Sequence, residues 1–382
     1  MRITDVKTFI VGNPWKNWLF AQVETDEGLT GVGEGTLNGF TLTVETAIHE
    51  MKPLIIGLDP FQVEEINLRL TRDYYSMGGQ IQGAALAAME FACWDIMGKA
   101  AGQPLYNLLG GQCRDKMRAY ANGWYRGPRT PEHFYRKAKE VVAKGYTALK
   151  FDPFGSAWRT MERKELHLAL EIIKAVREAV GPDVDILIEG HNRFSVYTAL
   201  TIAEAMAPVQ PTWFETPVPP HPISAVIEVA RRSPVPIACG EDYSSREEFA
   251  QLLSADAIHI VQLEPQFLGL ATAKQVCAMA HAHHAVTAPH SAQGPLCSLV
   301  CAHLNAATPN FFLHEIFDDF NEPWEKKILT QTAVVKDGYV QLPEGPGIGA
   351  SLVVEEIARH PYQPGNWLPL FREGWERRES QS

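Results

Sequence analysis

The sequence predicts an α/β barrel preceded by a smaller α+β region, and three observations carry that prediction. Three short apolar runs end on an acid, at Glu189, Glu215 and Glu241, at equal intervals of 26 residues (215 − 189 and 241 − 215). That interval fits one strand, one helix and two loops, a single βα step. From about residue 117 onward, apolar β-type runs alternate with amphipathic helical stretches, at 118–122, 148–151, 185–188, 212–214, 237–239, 258–262, 285–288 and 311–314. Eight such runs with right-handed crossovers imply a closed parallel barrel. An open doubly wound sheet is disfavoured because no G-x-G-x-x-G follows the first strand. The first 110 residues have a different pattern, antiparallel strands and then helices.

In chain order, 6–11, 18–24 and 30–33 read as strands, with Asp26-Glu27-Gly28 as a turn and an aromatic-tipped loop at 12–17. Residues 42–110 read as mostly helical, and 83–102 is the best helix, with Trp94 and Met97 on its apolar face and Gly102 as its stop. The loop 36–41 and the segment 74–79 could reach a substrate, and Tyr74 and Tyr75 suit core and site equally. Barrel helices at 131–144 and 164–180 each end near glycine. Beyond residue 330, a hairpin over 334–341 turns at Asp337-Gly338, and 373–382 reads as a polar, frayed end. The division is a capping domain over 1–115, a barrel over 116–330 and a tail over 331–382 that packs back on the capping domain.

At 382 residues the chain can hold one large barrel and a second, smaller domain. Its net charge of −11 argues against nucleic acid or an anionic membrane as the main partner. An anionic small molecule remains admissible, because a bound cation sets the local sign. The six cysteines form no C-x-x-C pair and read as reduced, buried thiols. The start lacks a signal-peptide core, and no apolar run reaches the ~18 residues of a membrane span, so a cytoplasmic location is expected.

Acids at the C-terminal ends of buried strands face the mouth of such a barrel. Three carboxylates on neighbouring strands repel in a dry site unless a cation sits among them, and oxygen-only ligands suit Mg²⁺. Glu189, Glu215 and Glu241 are therefore the expected metal ligands. By alternation, Lys150 and Asp152 point into the mouth from the second barrel strand, and His191 shares a side with Glu189. His290 follows a proline at the end of strand seven, with Glu264 one strand earlier, and reads as a base oriented by a carboxylate. Glu315 ends strand eight and could hydrogen-bond a substrate carboxylate. His281, His283 and His284 fall on a helix end at the opposite face and read as solvated. A divalent cation flanked by a lysine and a His–Glu pair suits abstraction of a proton next to a carboxylate, the resulting enediolate being stabilised electrostatically. His191 is the candidate acid for expelling a β-hydroxide.

At these residues the chain resembles the enolase superfamily, within it the mandelate racemase-like subgroup, over nearly its whole length. The resemblance implies a modified (β/α)₇β barrel with an α+β capping domain, Mg²⁺ at Glu189, Glu215 and Glu241, a base at His290 and an acid at Glu315. Lys150 matches the first lysine of the family's K-x-K. The segments 120–125, 148–155 and 188–194 resemble those of gluconate/galactonate-type dehydratases, where the histidine two after the first ligand is the general acid. This gives His191 its role and implies that an aldonate or a related aldarate loses water to a 2-keto-3-deoxy acid. Three departures stand out: Asp152 replaces the second lysine, Glu264 replaces the aspartate that orients the base, and Glu215 is followed by Thr216 rather than a second acid. An epimerase, racemase or cycloisomerase using the same enediolate, or a barrel that binds without turnover, are the alternatives. Asp152, Asn192, Arg193, Trp124 and Trp15 are expected to contact the substrate, and a dimer-based homo-oligomer, up to an octamer, is implied by the resemblance.

Overall fold

The computed structural model describes residues 1–378. Strands β1 (Ile3–Gly12), β2 (Asn17–Thr25) and β3 (Thr30–Glu34) form an antiparallel sheet. Helices α1 (Thr41–Met51), α2 (Val63–Arg72) and α3 (Gly79–Ala101) pack on it, and Gly102, left-handed at φ 63°, ends α3. α3 is buried on nearly every side, whereas Trp94 and Met97 are only half-buried. It lies unusually close to β3. A Cβ on Gly31 or Gly33 would stand 1.9 Å from the carbonyl oxygens of Ala92 and Ala88. Two residues of strand rise about 6.6 Å and four residues of helix about 6 Å, so glycines at i, i+2 meet alanines at i, i+4 in register.

The barrel strands are β4 (Lys116–Ala121), β5 (Ala148–Phe151), β6 (Asp185–Glu189), β7 (Trp213–Glu215), β8 (Ile237–Cys239), β9 (Ile260–Val261), β10 (Val286–Thr287) and β11 (His314–Ile316). Neighbours pair in parallel from β4 to β10, and β11 pairs with β4. A bridge between Thr287 and Phe311 closes the ring. A helix of eight or more residues lies between each strand and the next, but only a short 3₁₀ turn follows β11. This is the (β/α)₇β arrangement. The inside is filled by Tyr120, Ala148, Leu187, Trp213, Ala238, Ile260, Ala288 and Leu313, one from each strand or its immediate flank.

The tail divides its contacts. The hairpin β12 (Val335–Lys336) and β13 (Tyr339–Gln341) joins the barrel, pairing antiparallel with β4, rather than packing on the cap. The following stretch returns to the cap: Ile348 N–H donates to Asp95 on α3 at 2.8 Å, and Gly12 N–H donates to His360 O at 2.8 Å. The end was expected to fray. Residues 379–382 of it lie outside the described residues, but Trp375, Glu376 and Arg378 are buried over the barrel mouth. An aromatic ring set among polar residues anchors what composition alone marks as loose. Five of the six free cysteines are buried and Cys113 is exposed. Among the described residues, no helix is long and apolar enough to cross a membrane.

His303, on the helix Pro295–Ala306, ties cap, barrel and tail together. Its Nδ1 accepts from Tyr106 N at 3.2 Å and its Nε2–H donates to Ile348 O at 3.1 Å, which requires the neutral ring. Burial lowers its pKa from 6.5 to about 4. A depressed folded value means the unfolded chain takes up the proton first as pH falls, so stability is lost between 6.5 and 4. We expect wild type to lose about 2 kcal/mol relative to His303→Gln between pH 7 and pH 5. Urea unfolding of both proteins at the two pH values measures this, and parallel pH dependences would contradict it.

Candidate active site

The acid-bearing strands deliver their carboxylates to one point. Glu189, Glu215 and Glu241 each offer an oxygen, and these oxygens lie within 4.8 Å of one another. Strand pairing places Glu189 directly beside Glu215. Glu189 Oε1 accepts from His191 N at 2.8 Å and Thr216 Oγ1 at 2.9 Å, and Glu215 Oε2 accepts from Trp213 Nε1 at 2.8 Å. Thr216, which stands where a second acid was the family habit, is thus a hydrogen-bond donor to Glu189. Glu241 differs from its neighbours, since its Oε2 is buried without a hydrogen-bond partner.

Electrostatics say what this cluster lacks. Burial, with Glu189 close by, pushes Glu215 up to about 8. Burial also holds Glu241 well above the carboxylate range, although His290 opposes it. A buried carboxylate oxygen without a hydrogen bond, facing two further carboxylates, is stabilised either by taking up a proton or by a cation that completes the set. The donors are all oxygen, so the residues fit a hard divalent ion such as Mg²⁺, with Glu189, Glu215 and Glu241 as its holders.

Lys150 is already committed. Its Nζ lies 3.1 Å from Glu189 Oε2, 2.9 Å from Glu315 Oε1 and in contact with Glu215. Burial alone would lower its pKa, but Glu215 and Glu315 override burial and hold it well above the usual lysine value. Glu315 also accepts from Asn122 Nδ2 at 2.8 Å and Ser291 N at 2.9 Å. Burial raises its pKa, but Lys150 and His290 outweigh that and bring it down to about 2. Lys150 and His290 thus draw Glu315 toward its ionised form.

Two histidines flank the triad, each held by a carboxylate. His290 Nδ1 meets Glu264 Oε2 at 2.6 Å, and its Nε2 lies 3.5 Å from Glu241 Oε2. The longer glutamate side chain thus reaches the ring. Burial lowers the His290 pKa, but Glu241, Glu315 and Glu264 together raise it to about 10. Opposite, His191 Nδ1 meets Asp152 Oδ2 at 2.6 Å. A left-handed turn aims this ring: His191 and Asn192 have φ of 46° and 57°, a strained pair for non-glycine residues. Asp152 is fully buried, also contacts Arg193 and accepts from Phe154 N at 2.8 Å.

The mouth opens into a cavity of about 210 Å³ between cap, barrel and tail. Of the residues expected to contact substrate, Trp15 lines it; Asp152, Asn192, Arg193 and Trp124 do not. Asp152 is spent on His191 instead. Trp124 is buried, donates to Lys150 O at 2.8 Å and packs edge-on against Tyr125, Phe134 and Phe151. Arg193 is fully buried on backbone carbonyls and Asp152, and Asn192 donates to Asp242 at 2.8 Å. Tyr74 and Tyr75 belong to neither core nor cavity, at 43% and 96% exposed. His281, His283 and His284 are exposed.

Several cavity residues escaped the sequence reading. Asn122, Gln80 and Gln293 carry no pattern of their own. Lys16 sat inside a loop expected to reach the substrate through Trp15, but was not itself singled out, although a lysine beside a tryptophan was a usable signal. Trp375 and Arg378 lay in the stretch read as frayed, where a lone tryptophan was the one hint of docking. One latch also went unseen. Glu34, at the end of β3, accepts from Gly294 N at 2.6 Å and Cys297 N at 2.9 Å. It thereby ties the cap to the first turn of the helix that follows the His290 loop.

Clustered carboxylates at the C-terminal ends of barrel strands, with an oriented histidine on either side, are the layout of a barrel enzyme's active site. Residues 133–357 match the family described as Enolase C-terminal domain-like, and residues 12–110 match the Mandelate racemase / muconate lactonizing enzyme N-terminal domain. The chain belongs to the enolase superfamily. It is 34% identical over 362 residues to a D-gluconate dehydratase of Thermoproteus tenax, covering 94% of this chain and 73% of that one. It is 31% identical over 341 residues to a D-gluconate/D-galactonate dehydratase of Picrophilus torridus, covering 88% and 87%. A crystal structure of a mandelate racemase/muconate lactonizing enzyme from Jannaschia sp. superimposes with a TM-score of 0.90 at 30% identity, covering 96% and 99%.

Proposed function

We propose that this protein is a Mg²⁺-dependent sugar-acid dehydratase that converts a 2,3-dihydroxy acid to a 2-keto-3-deoxy acid. The observation that carries this reading is the pair of carboxylate-held histidines on either side of the acid triad. One proton acceptor and one proton donor are what removal of water requires. Relatives named gluconate and galactonate dehydratases support the same reaction class.

The cation, when bound at the triad, supplies positive charge against the negative charge that builds on the substrate carboxylate. His290 Nε2 takes the C2 proton, with Glu264 fixing its tautomer. With a cation held among the carboxylates, their pull on both basic groups would be weaker; the His290 imidazole, whose ordinary value is 6.5, would then serve as a base, while the Lys150 ammonium, whose ordinary value is 10.5, would stay charged. Lys150 therefore acts as a fixed charge that holds Glu189, Glu215 and Glu315 in place. Loss of the C3–O bond follows: His191 delivers a proton to the departing hydroxide, which leaves as water, and the remaining enol tautomerises to the keto acid. Asp152, where a second lysine would serve a two-base racemase, serves His191 instead.

Incubation with a panel of aldonates and aldarates plus Mg²⁺, trapping product with semicarbazide, tests the reading. A keto acid from at least one member is expected. Solvent deuterium entering C2 without keto acid would replace dehydration with epimerisation, and silence across the panel with metal bound would refute both.

A further inference from the structure

Two buried cations in the cavity have no role in the reaction described above. Arg378 is 7% exposed, and its guanidinium lies 5.1, 5.4 and 5.6 Å from the ring centroids of Trp15, Tyr125 and Phe317. Among the described residues no carboxylate pairs with it, and its Nε is buried without an acceptor. Lys16 is 3% exposed and sits 4.4 Å from the Trp15 centroid. Its ammonium contacts the Ala292 carbonyl and lies 3.3 Å from Gln293 Oε1, both neutral acceptors. Both residues line the same cavity as His191, His290, Glu189 and Glu241.

Burying an ion is unfavourable unless a counter-charge meets it. Ring stacking satisfies the face of a guanidinium but leaves the donors at its edge unused, and a charged donor left without an acceptor is the costliest kind of unmade hydrogen bond. The acids Glu189, Glu215 and Glu315 do not meet this demand, because they are already paired with Lys150. The carboxylate next to the reacting carbon is allotted to the triad. Among the described residues, the cavity thus holds two cations that no carboxylate meets in a direct ion pair; Glu34 and Glu264 act on Lys16 only through space, and Arg378 has no such partner.

We propose that Arg378, with Lys16 beside it, receives a second anionic group of the substrate, so that the preferred substrate is a sugar diacid, an aldarate, rather than an aldonate. This rests on the dehydratase reading and narrows it. A planar guanidinium with a free edge matches a terminal carboxylate in two-pronged fashion. It also makes the C-terminal end a specificity element, since Trp375 and Arg378 reach the cavity together.

The test uses the full-length, Mg²⁺-loaded enzyme with glucarate and galactarate, the matching gluconate and galactonate, and 6-phosphogluconate. Binding is measured by calorimetry and turnover by keto-acid release. At least one aldarate should exceed its aldonate by about 10–100-fold in kcat/KM, the value of one or two charged hydrogen bonds. Arg378→Met should erase that advantage through KM while leaving kcat nearly unchanged, and Arg378→Lys should restore part of it. If an aldonate equals or exceeds every aldarate while keto acid still forms, this inference falls and the dehydratase reading stands. If no acid is turned over but aldarates bind more tightly in an Arg378-dependent way, the reaction assignment falls and the diacid site stands. Preference for the phosphorylated aldonate would overturn the carboxylate assignment, as would a folded Arg378→Met enzyme with an unchanged aldarate-to-aldonate ratio.

Discussion

Glu241→Gln is expected to lower keto-acid formation at least about 1,000-fold, the upper range for removing one preorganised electrostatic group, and at the same time to make the metal-free protein more stable. Glu241 is the triad member whose carboxylate has least support, with one buried oxygen that accepts no hydrogen bond and has His290 Nε2 at 3.5 Å. Its pKa is held well above the usual 4.5, first by burial. A raised folded value means that ionisation is opposed in the fold, so stability is fully present below 4.5 and declines as pH rises. At pH 7 that deficit reaches up to about 3 kcal/mol, and a neutral amide of the same shape removes it. The gain should vanish near pH 4.5. Mg²⁺ should reverse the order: by mass action wild type gains about 4.1 kcal/mol at roughly a thousand times Kd, more than the deficit, and the variant gains little. Thermal unfolding with EDTA and with Mg²⁺ separates the two states. A wild-type melting temperature indifferent to Mg²⁺ would remove the metal from the site.

That opposition between stability and function explains why the triad was legible in the sequence. An acid at the end of a buried strand has no packing reason to be there, and three at equal spacing single out one geometry. The barrel was legible for a related reason, because each strand and its crossover helix are local patterns. His290 and Glu264 could be paired because both end strands whose order the alternation had already set. What stayed hidden depends on contacts that no local pattern encodes. Asp152 follows Lys150 on the same face, yet its partner is a ring 39 residues on, brought back by two left-handed residues. Lys16 and Arg378 meet over one tryptophan from near-opposite ends of the chain. The hairpin at 335–341 was visible, but not the strand it joins, since β4 and its parallel neighbours offer no signal of a free edge.

The two histidines should separate the reaction into its halves. His290→Asn is expected to abolish both solvent deuterium exchange at C2 and keto-acid release, by about 10²–10⁴-fold, the usual worth of a general base. His191→Asn should lower keto-acid release by a similar factor while leaving C2 exchange within a few fold of wild type. The reason is geometric: each ring has its own carboxylate, Glu264 or Asp152, both at 2.6 Å. Neither carboxylate touches the other histidine, so damage to one pair leaves the tautomer of the other intact. Glu264→Gln and Asp152→Asn should reproduce the two patterns at lower amplitude, about 10–100-fold, as orienting partners do. Proton NMR in deuterium oxide reads exchange and elimination in the same tube. If His191→Asn stopped exchange as completely as elimination, His191 would belong to the abstraction step, and the assignment of a separate acid for the leaving hydroxide would have to be abandoned.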